Sequence, residues 1–438
     1  MNGPLVTARI EPGCAPASAG QRVGRNVVVM VVTFVVNYLA AFATFPYLTR
    51  VLGPAHFGVL AFGMATAAYG TVLTEWGFNL SGPKAVVECR DQPRLLNSLI
   101  WSIAGSKACL CVIAFAALAV VLWFDRRMAS SGVVILLCWM AVVGNVFTLY
   151  WLFQGLERFY LIAAMVFASR LVMLPLTFFL VHKPDDVIAA AAIQSAGPVA
   201  GAFISIGIAW HLGMLRKPDT SWSAMRQRLL QGFDMFVATA SVTLFGAANT
   251  VILASLAGPY QVGLYAAADK LRTVGNLIPT QLTAVLYPRV SGLFMENRHA
   301  SARLTLIGAT VTVVASVASG LFFFLLSAPL TRLFLGGEYQ GASPVLSILC
   351  FSAMFGNLSY LLGLLVLVPF GEGRKRSLVT LIAGCLNVVL ALTLIPRLGA
   401  EGAAWSFLIA ELVVLAAYGI SIVRREQSSR YFSHLLDG

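Results

Sequence analysis

Charged residues are scarce in this sequence of 438 residues: Asp, Glu, Lys and Arg together make up 11%, where an ordinary soluble domain has about 25%. Hydrophobic residues make up 59%, and the mean hydropathy is +0.84. A soluble domain has no way to hide that much apolar surface from water. The composition therefore excludes a soluble globular protein and predicts a polytopic membrane protein.

Several motifs that carry chemistry are also missing. The sequence has no GxxxxGK[ST] phosphate loop, no G-x-S-x-G nucleophile elbow and no Cys/His metal spacing. Its seven cysteines form no C-x-x-C pair, and most lie within apolar runs, where cysteine acts as a small hydrophobe. We therefore expect no catalytic residue, no metal and no cofactor, and no ATPase of the chain's own to drive transport.

The apolar runs are unbroken rather than alternating, which favours transmembrane helices over barrel strands. Each run can supply the roughly 20 residues that one span needs. The sequence predicts about twelve helices, at residues 26–47, 58–77, 98–124, 132–154, 161–182, 188–212, 233–257, 267–288, 303–326, 344–370, 377–396 and 402–423. The segment at 267–288 is the least hydrophobic of them.

These helices suggest a division of the chain into five parts. A disordered cytoplasmic tail (1–25) precedes a six-helix lobe (26–212), and a cytoplasmic linker (213–232) leads to a second six-helix lobe (233–424) and a short tail (425–438). The loops are short, which leaves no aqueous domain. The fold class is thus an all-α membrane protein with two pseudo-repeated six-helix lobes around a central cavity.

The distribution of basic residues predicts the orientation. Of 30 Lys and Arg residues, 20 lie in the tails and loops of one side and 6 on the other. The positive-inside rule places the richer side, with both termini, in the cytoplasm. The net charge of +12 lies in tracts beside apolar runs rather than on a globular basic domain, so nucleic acid is not an expected partner.

An internal repeat supports the two lobes. Residues 53–58 (GPAHFG) and 258–263 (GPYQVG) share a G-P-x-x-apolar-G pattern, each between the first and second helix of its lobe. Six helices per lobe give the lobes parallel orientation, related by an axis along the membrane normal. Two such lobes can enclose a cavity that opens to either side, as in a transporter.

Charges inside spans cost about 2.5–3.5 kcal/mol each on insertion scales, so each needs a reason. On the helix at 267–288, a polar stripe lies within about 80°, and its first two members, Asp269 and Arg272, are spaced to pair. The stripe faces either a water-filled lumen or a helix–helix seam. Its members are Asp269, Arg272, Asn276, Thr280, Thr283 and Tyr287.

The other intramembrane charges also have two interpretations. Arg170 is either a cation in the cavity or the partner of a buried carboxylate such as Glu411. Lys107 either faces the cavity or snorkels to the interface, and Glu75 is either functional or an interfacial carboxylate. Arg50 and Lys270, near outer span ends, are candidates for the cavity or simple interface anchors.

Short motifs spread over residues 26–424 resemble the bacterial polysaccharide and O-antigen flippases (Wzx type) of the multidrug/oligosaccharidyl-lipid/polysaccharide exporter superfamily. The matches occur in the order that is typical of that family. They are residues 45–54 (FPYLTRVLGP) with 57–58 (FG), 76–82 (WGFNLSG), 151–159 (WLFQGLERF), 262–270 (VGLYAAADK), 286–289 (LYPR) and 398–404 (LGAEGAA).

The resemblance implies a flippase of the bacterial inner membrane that moves undecaprenyl-pyrophosphate-linked oligosaccharide from the cytoplasmic to the periplasmic leaflet by ion-coupled alternating access. Its product would feed O-antigen or exopolysaccharide synthesis, with other polysaccharide assembly proteins as further partners. Cations suit a pyrophosphate, which makes the substrate-binding candidates Arg50, Lys107, Arg170, Lys270, Arg272, Asn276 and Thr280. The coupling candidates are Glu75, Asp269 and Glu411.

Two other functions compete with this one. A multidrug or cation antiporter of the same superfamily should place carboxylates in its cavity, yet the intramembrane candidates are four bases and three acids, and the first span has no Asp or Glu. A membrane enzyme, such as a glycan polymerase or glycosyltransferase, should carry catalytic residues on a sizeable loop, which this sequence lacks. The balance favours an anionic substrate and transport.

Overall fold

A computed structural model describes residues 19–124 and 131–424 of the chain, and within these ranges the regular structure is helical throughout. Helix α1 begins at Ala19, so residues 19–25 of the predicted tail are helical instead. No proline separates them from the first span, and the helix simply continues beyond its apolar part. Residues 1–18 and the predicted tail at 425–438 lie outside the described ranges.

Fifteen α-helices follow one another along the described chain. They are α1 (Ala19–Glu75), α2 (Phe78–Cys89), α3 (Pro93–Phe124), α4 (Gly132–Phe147), α5 (Tyr150–Gly155), α6 (Phe159–Leu180), α7 (Val187–His211), α8 (Trp222–Ala257), α9 (Pro259–Gly275), α10 (Leu277–Glu296), α11 (Arg298–Leu325), α12 (Ser327–Phe334), α13 (Ala342–Leu361), α14 (Gly373–Leu398) and α15 (Ala400–Val423). Short 3₁₀ turns at Pro184–Asp186 and Gly337–Tyr339 and a π-turn at Leu362–Leu367 complete the order.

Helix occupies all twelve positions predicted as spans, but not as twelve separate rods. Nine helices of the described chain are long and apolar enough to cross a membrane. Helix α8 is bent by 52° between Thr243 and Gly246, and it makes a tenth if its two parts together form a single span. The first of the nine contains two predicted spans joined by an elbow at Gly53. The least hydrophobic segment forms α9 and α10, which break at Asn276 and do not reach that threshold.

The elbow of α1 follows from two adjacent residues. Gly53 has φ +66° and ψ 172°, a conformation that side chains strongly disfavour. Pro54 follows, and its fixed φ and missing N–H suit the first turn of a new helix. The sequence GP therefore turns the chain where the first predicted span ends and the second begins.

Helix contacts divide the chain into two lobes. In the first lobe α1 packs on α3, α4 and α6, and α7 packs on α4 and α6. In the second lobe α13 packs on α11 and α15, while α14 packs on α8 and α15. The lobes meet where α1 contacts α8 and α9 and where α3 contacts α8.

The predicted linker is shorter and more firmly held than its sequence suggests. Helix α8 begins at Trp222, and before it the chain is bound to α3. The Nδ2 of Asn97 donates to the carbonyl of Lys217 at 3.0 Å, and the amide of Arg216 donates to Oδ1 of Asn97 at 2.8 Å. The hydroxyls of Ser102 and Thr220 lie 3.0 Å apart. Residues 216–220 are thus attached to the first lobe.

Candidate functional site

A cavity of about 1010 Å³ opens inside the first lobe. Helices α1, α4, α5, α6 and α7 supply most of its lining, α2 adds Asn79, and α8 adds Thr243. The lining is mostly apolar, with amides and hydroxyls interspersed, and its charged side chains within the described residues are Arg170 and Glu75. This mixture of apolar surface and a few placed polar groups is typical of ligand pockets.

Arg170, midway along α6, is held by an amide of α1. Its Nε and Nη2 donate to Oδ1 of Asn37 at 2.9 and 2.7 Å. The structure therefore contradicts the predicted alternative of a pair with Glu411. A guanidinium has five N–H donors, and Asn37 uses two of them. Arg170 belongs to the cavity lining, and three of its donors are not used by Asn37.

Glu75 and Lys107 approach the same residue of α4. Nδ2 of Asn145 donates to Oε1 of Glu75 at 2.8 Å, and Nζ of Lys107 donates to the backbone carbonyl of Asn145 at 3.4 Å. Lys107 is 1% exposed, so it does not snorkel to the interface. It lies behind the cavity wall, while Glu75 lies in the wall. The two charges are close enough to interact.

The second lobe gathers several predicted residues into one cluster away from the cavity. The predicted pair of Asp269 and Arg272 forms, with Nη2 2.6 Å from Oδ1. The guanidinium of Arg272 lies 5.0 Å from the centre of the Phe407 ring, a cation–π distance. The carboxylate of Glu411 lies against Gly356 and interacts with Arg272. These groups join helices α9, α13 and α15.

The rest of the predicted polar stripe continues this seam. Nδ2 of Asn357 donates to Oδ1 of Asn276 at 3.2 Å and to the hydroxyl of Ser316 at 3.1 Å. Thr280 donates to the backbone carbonyl of Asn276 at 2.7 Å, and Thr283 is fully buried. Asn276 thus lies in a helix–helix seam, one of the two predicted environments, whereas Thr280 and Thr283 donate to backbone carbonyls near their own helix. A polar stripe alone does not distinguish a lumen from a packed partner.

Lys270 and Arg50 also lie away from the cavity lining. Lys270 is exposed on α9. Arg50 donates from Nη2 to the carbonyl of Leu333, at the end of α12 in the other lobe. Nearby, the Tyr339 hydroxyl donates to the carbonyl of Thr49 at 3.2 Å. Burial raises the pKa of Tyr339, which keeps this phenol protonated and able to donate.

The two copies of the internal repeat meet at this junction, which we name the elbow seam (residues 49–58 with 258–263 and 333–339). A Cβ added to Gly58 would collide with the carbonyl oxygen of Pro259, and a Cβ added to Gly263 would collide with that of Pro54. Each glycine thus lies directly against the other repeat's proline. The contact is reciprocal, and it requires glycine at both positions.

A second junction, the tryptophan seam (residues 76–77 with 229–236), joins the lobes where α1 ends and near the start of α8. The indole of Trp76 stacks on Phe236, with centroids 4.0 Å apart and planes at 11°, and its Nε1 donates to the carbonyl of Leu229 at 2.8 Å. Trp76 has φ +44°, unusual for a bulky residue. The backbone of α8 lies close here, since a Cβ on Gly232 would be 2.7 Å from the Trp76 carbonyl.

Three amide side chains of the cavity wall were not among the site residues predicted from the sequence. Asn37, Asn145 and Gln194 lie within predicted spans and line the cavity. Amides are uncharged and add less to the insertion cost than charges do, so a single amide within a span is a weaker signal than a charge. The available signal was an uncharged hydrogen-bonding group in the middle of an apolar run.

Known proteins resemble this chain over most of its length. Residues 23–294 match the family model of the polysaccharide biosynthesis proteins. The putative O-antigen transporter of Escherichia coli strain K12 is 30% identical over 390 residues, which is 89% of this chain and 94% of the relative.

Two solved structures share the fold. The lipid II flippase MurJ in an inward closed conformation superposes with a TM-score of 0.72 at 13% identity, covering 94% of this chain and 91% of the flippase. An inward-facing multidrug resistance MATE family transporter of the MOP superfamily superposes with a TM-score of 0.66 at 14% identity, covering 94% of this chain and 99% of the transporter. At such identities the similarity concerns the fold alone.

Proposed function

Because this chain belongs to the polysaccharide biosynthesis protein family, we propose that it is a flippase for undecaprenyl-pyrophosphate-linked oligosaccharides. It moves each unit from the cytoplasmic to the periplasmic leaflet of the bacterial inner membrane for O-antigen or exopolysaccharide synthesis. The relative named as an O-antigen transporter and the fold shared with a lipid II flippase support this proposal. The relatives named as transporters or flippases also favour transport over a membrane enzyme.

The observation that carries the proposal is the cavity of about 1010 Å³ with Arg170 in its wall. A guanidinium forms bidentate, charge-assisted hydrogen bonds with phosphate oxygens. Asn37 fixes the side chain and leaves donors unused. The pyrophosphate is held by Arg170 while the polyprenyl chain stays in the bilayer, since moving it out of lipid would expose many CH₂ groups at about 0.8 kcal/mol each.

Transport then requires the two seams to open in turn. In the predicted orientation, the elbow seam is on the periplasmic side and the tryptophan seam on the cytoplasmic side. Opening the tryptophan seam separates Trp76 from Phe236 and gives access to the cavity from the cytoplasm. Opening the elbow seam separates Gly58 from Pro259 and releases the unit on the other side. Rocking of two parallel lobes about a fixed site is a common transporter mechanism.

Glu75 is the best placed of the three candidates for ion coupling, because it lines the cavity. Asp269 is held in the ion pair with Arg272, and Glu411 lies in the same cluster of the second lobe. An ion that binds at Glu75 changes the charge of the cavity wall 2.8 Å from Asn145. Lys107 donates to the backbone of Asn145, so the change in charge alters its electrostatic environment.

The experiment that tests the function measures lipid-linked oligosaccharides in cells lacking this protein, by lipid extraction and mass spectrometry. A flippase predicts accumulation of a complete repeat unit, accessible from the cytoplasmic side of inverted vesicles. A truncated unit would indicate an assembly enzyme instead. An unchanged lipid pool would contradict the proposal.

One observation favours a second candidate, a multidrug antiporter. Glu75 places a carboxylate in the cavity wall, which suits a cationic drug, and the fold is shared with a multidrug resistance transporter. Arg170 opposes it, because a cation entering the cavity meets a fixed positive charge. Greater sensitivity to cationic drugs in cells lacking the protein, with a normal lipid pool, would support this candidate.

A further inference from the structure

The cavity wall is richer in neutral amides than in charges. Its five amide side chains come from α1, α2, α4, α5 and α7, whereas one cation and one carboxylate line the same space in the described chain. An amide offers both donors and acceptors, as a sugar hydroxyl does. The five amides are Asn37, Asn79, Asn145, Gln154 and Gln194.

Three of these amides are available to a ligand. Asn37 accepts from Arg170, and Asn145 donates to Glu75. The side-chain amides of Asn79, Gln154 and Gln194 make no hydrogen bond with any described residue. Gln194 is the most informative, because it is half-buried two turns into α7, where polar groups normally find partners. Gln194 lines the cavity, so a bound molecule can supply the partner that its amide lacks.

The free amides extend along the cavity from one end to its middle. Asn79 follows Trp76 and Gln154 lies near the end of α5, both at the predicted cytoplasmic end, while Gln194 and Arg170 lie mid-helix. Tyr150 and Phe159 add aromatic rings to the same wall, against which the C–H face of a sugar can pack. A volume of about 1010 Å³ is at the upper end of the roughly 300–1,000 Å³ of small-molecule sites. This space holds a short oligosaccharide.

The charges of the wall decide which oligosaccharides it accepts. If Arg170 binds the pyrophosphate, the remaining charge in the described lining is the carboxylate of Glu75. Lys107 offers no compensation from the cavity side, since it is 1% exposed behind the wall. An acidic sugar would then lose its hydration without gaining a cation, and like charges repel strongly in a site of low dielectric.

We propose that the first-lobe cavity is the glycan site and that it selects short oligosaccharides without acidic sugars, through the amides of Asn79, Gln154 and Gln194 and the carboxylate of Glu75. This inference rests on the proposed flippase function and specifies its substrate class. The hydroxyl and N-acetyl groups of neutral sugars find partners along the wall. Uronic acids meet Glu75.

The test uses the purified full-length protein in detergent, with inorganic pyrophosphate present to occupy Arg170, and two water-soluble probes of equal length, maltotriose and trigalacturonate, followed by saturation-transfer NMR. We expect maltotriose to bind at least tenfold more tightly than trigalacturonate. Gln194→Leu should weaken maltotriose binding about fivefold, as for one lost neutral hydrogen bond, whereas Gln281→Leu, on the exposed face of α10, should leave it unchanged. If Gln194→Leu lowers the melting temperature, Gln154→Leu at an exposed site provides the same comparison.

Glu75→Gln tests the charge argument, because a glutamine still accepts the hydrogen bond from Asn145. It should raise trigalacturonate affinity and so reduce the preference for maltotriose, while Glu401→Gln in the first turn of α15 should leave that preference unchanged. Equal or tighter binding of trigalacturonate to the unmodified protein would overturn the inference, as would equal effects of Gln194→Leu and Gln281→Leu.

The lipid pool of cells lacking the protein separates this inference from the function on which it rests. Accumulation of a complete unit made of neutral sugars supports both. Accumulation of a complete unit that contains uronic acid overturns the inference and leaves the flippase proposal intact. An unchanged pool contradicts the flippase proposal itself.

Discussion

Arg170 and Asn37 are joined by two hydrogen bonds, 2.9 and 2.7 Å long, to a single amide oxygen. This pair connects α6 with the first half of α1 across the cavity wall. The geometry requires the fork of a guanidinium, because an ammonium group has no Nε and Nη2 to place side by side. The pair therefore combines a fixed orientation with a charge that faces the substrate space.

We expect Arg170→Ala to abolish surface polysaccharide at normal protein levels, and Arg170→Lys to retain little of it. Loss of a charged hydrogen bond costs about 1.5–3 kcal/mol, which corresponds to at least a tenfold loss of substrate affinity. The measurement is polymer on the cell surface, normalised to membrane protein. Arg397→Ala, at an exposed site in the last turn of α14, is the control. Wild-type polymer in Arg170→Ala cells would remove the assigned role.

Gly58→Ala should impair the protein through the elbow seam. The new methyl group collides with backbone atoms of Pro259, which cannot move aside as the end of a flexible side chain can. Overpacking of this kind costs about 1–3 kcal/mol. We expect less polymer and increased labelling of cysteines placed along 258–263. Gly292→Ala is the matched control, because a Cβ there meets nothing within 4 Å. Normal polymer and normal labelling in Gly58→Ala would contradict the prediction that function requires the close contact between Gly58 and Pro259.

Asp269→Asn should destabilise the second lobe. The change removes the carboxylate that is in direct contact with the guanidinium of Arg272, a side chain 16% exposed, at a cost of about 2 kcal/mol once partial exposure is taken into account. The check is a lower melting temperature of the purified protein in detergent. Asp234→Asn removes a carboxylate whose ion pair with Arg374 is highly exposed, and it should have little effect. Equal melting temperatures for the two variants would contradict the prediction.

Glu75→Gln should uncouple transport from the ion gradient, because the glutamine keeps the bond to Asn145 and removes the charge. Reconstituted protein would be assayed for flipping of lipid-linked oligosaccharide with and without a proton or sodium gradient. We expect the unmodified protein to respond to one gradient and Glu75→Gln to respond to neither. A variant that still responds to that gradient would transfer the coupling role to Asp269 or Glu411.

Both termini should lie in the cytoplasm, as the distribution of Lys and Arg predicts. Fusions of alkaline phosphatase and of green fluorescent protein to each end test this directly. The fluorescent fusions should be bright and the phosphatase fusions inactive. Active phosphatase at either end would reverse the assignment of the elbow and tryptophan seams to the two faces of the membrane.

Much of the fold was predictable because length and hydrophobicity determine where a chain can cross a bilayer. Helix occupies every predicted span, and the Gly-Pro repeat indicated the two lobes. Hydropathy did not reveal the joining of two spans across Gly53 or the break at Asn276. Both depend on backbone conformation at single residues, to which an average over a span is insensitive.

The site was harder to predict, because the position of a polar side chain inside a membrane protein depends on its neighbours. Arg170 and Glu75 line the cavity, while Arg272 and Asn276 lie in a seam. In the sequence all four have the same property, a polar group in an apolar run. The difference comes from partners distant in sequence, such as Asn37 for Arg170 and Asn357 for Asn276.

The reciprocal contact of Gly58 and Gly263 has the form of an isologous interface, in which the same surface serves both partners. Two separate six-helix chains, each with one copy of the motif, would meet in the same way about a two-fold axis. In such a dimer, one substitution would alter both sides of the contact at once. In the fused chain the two glycines mutate independently, so either lobe can acquire its own chemistry while the shared contact keeps the halves aligned.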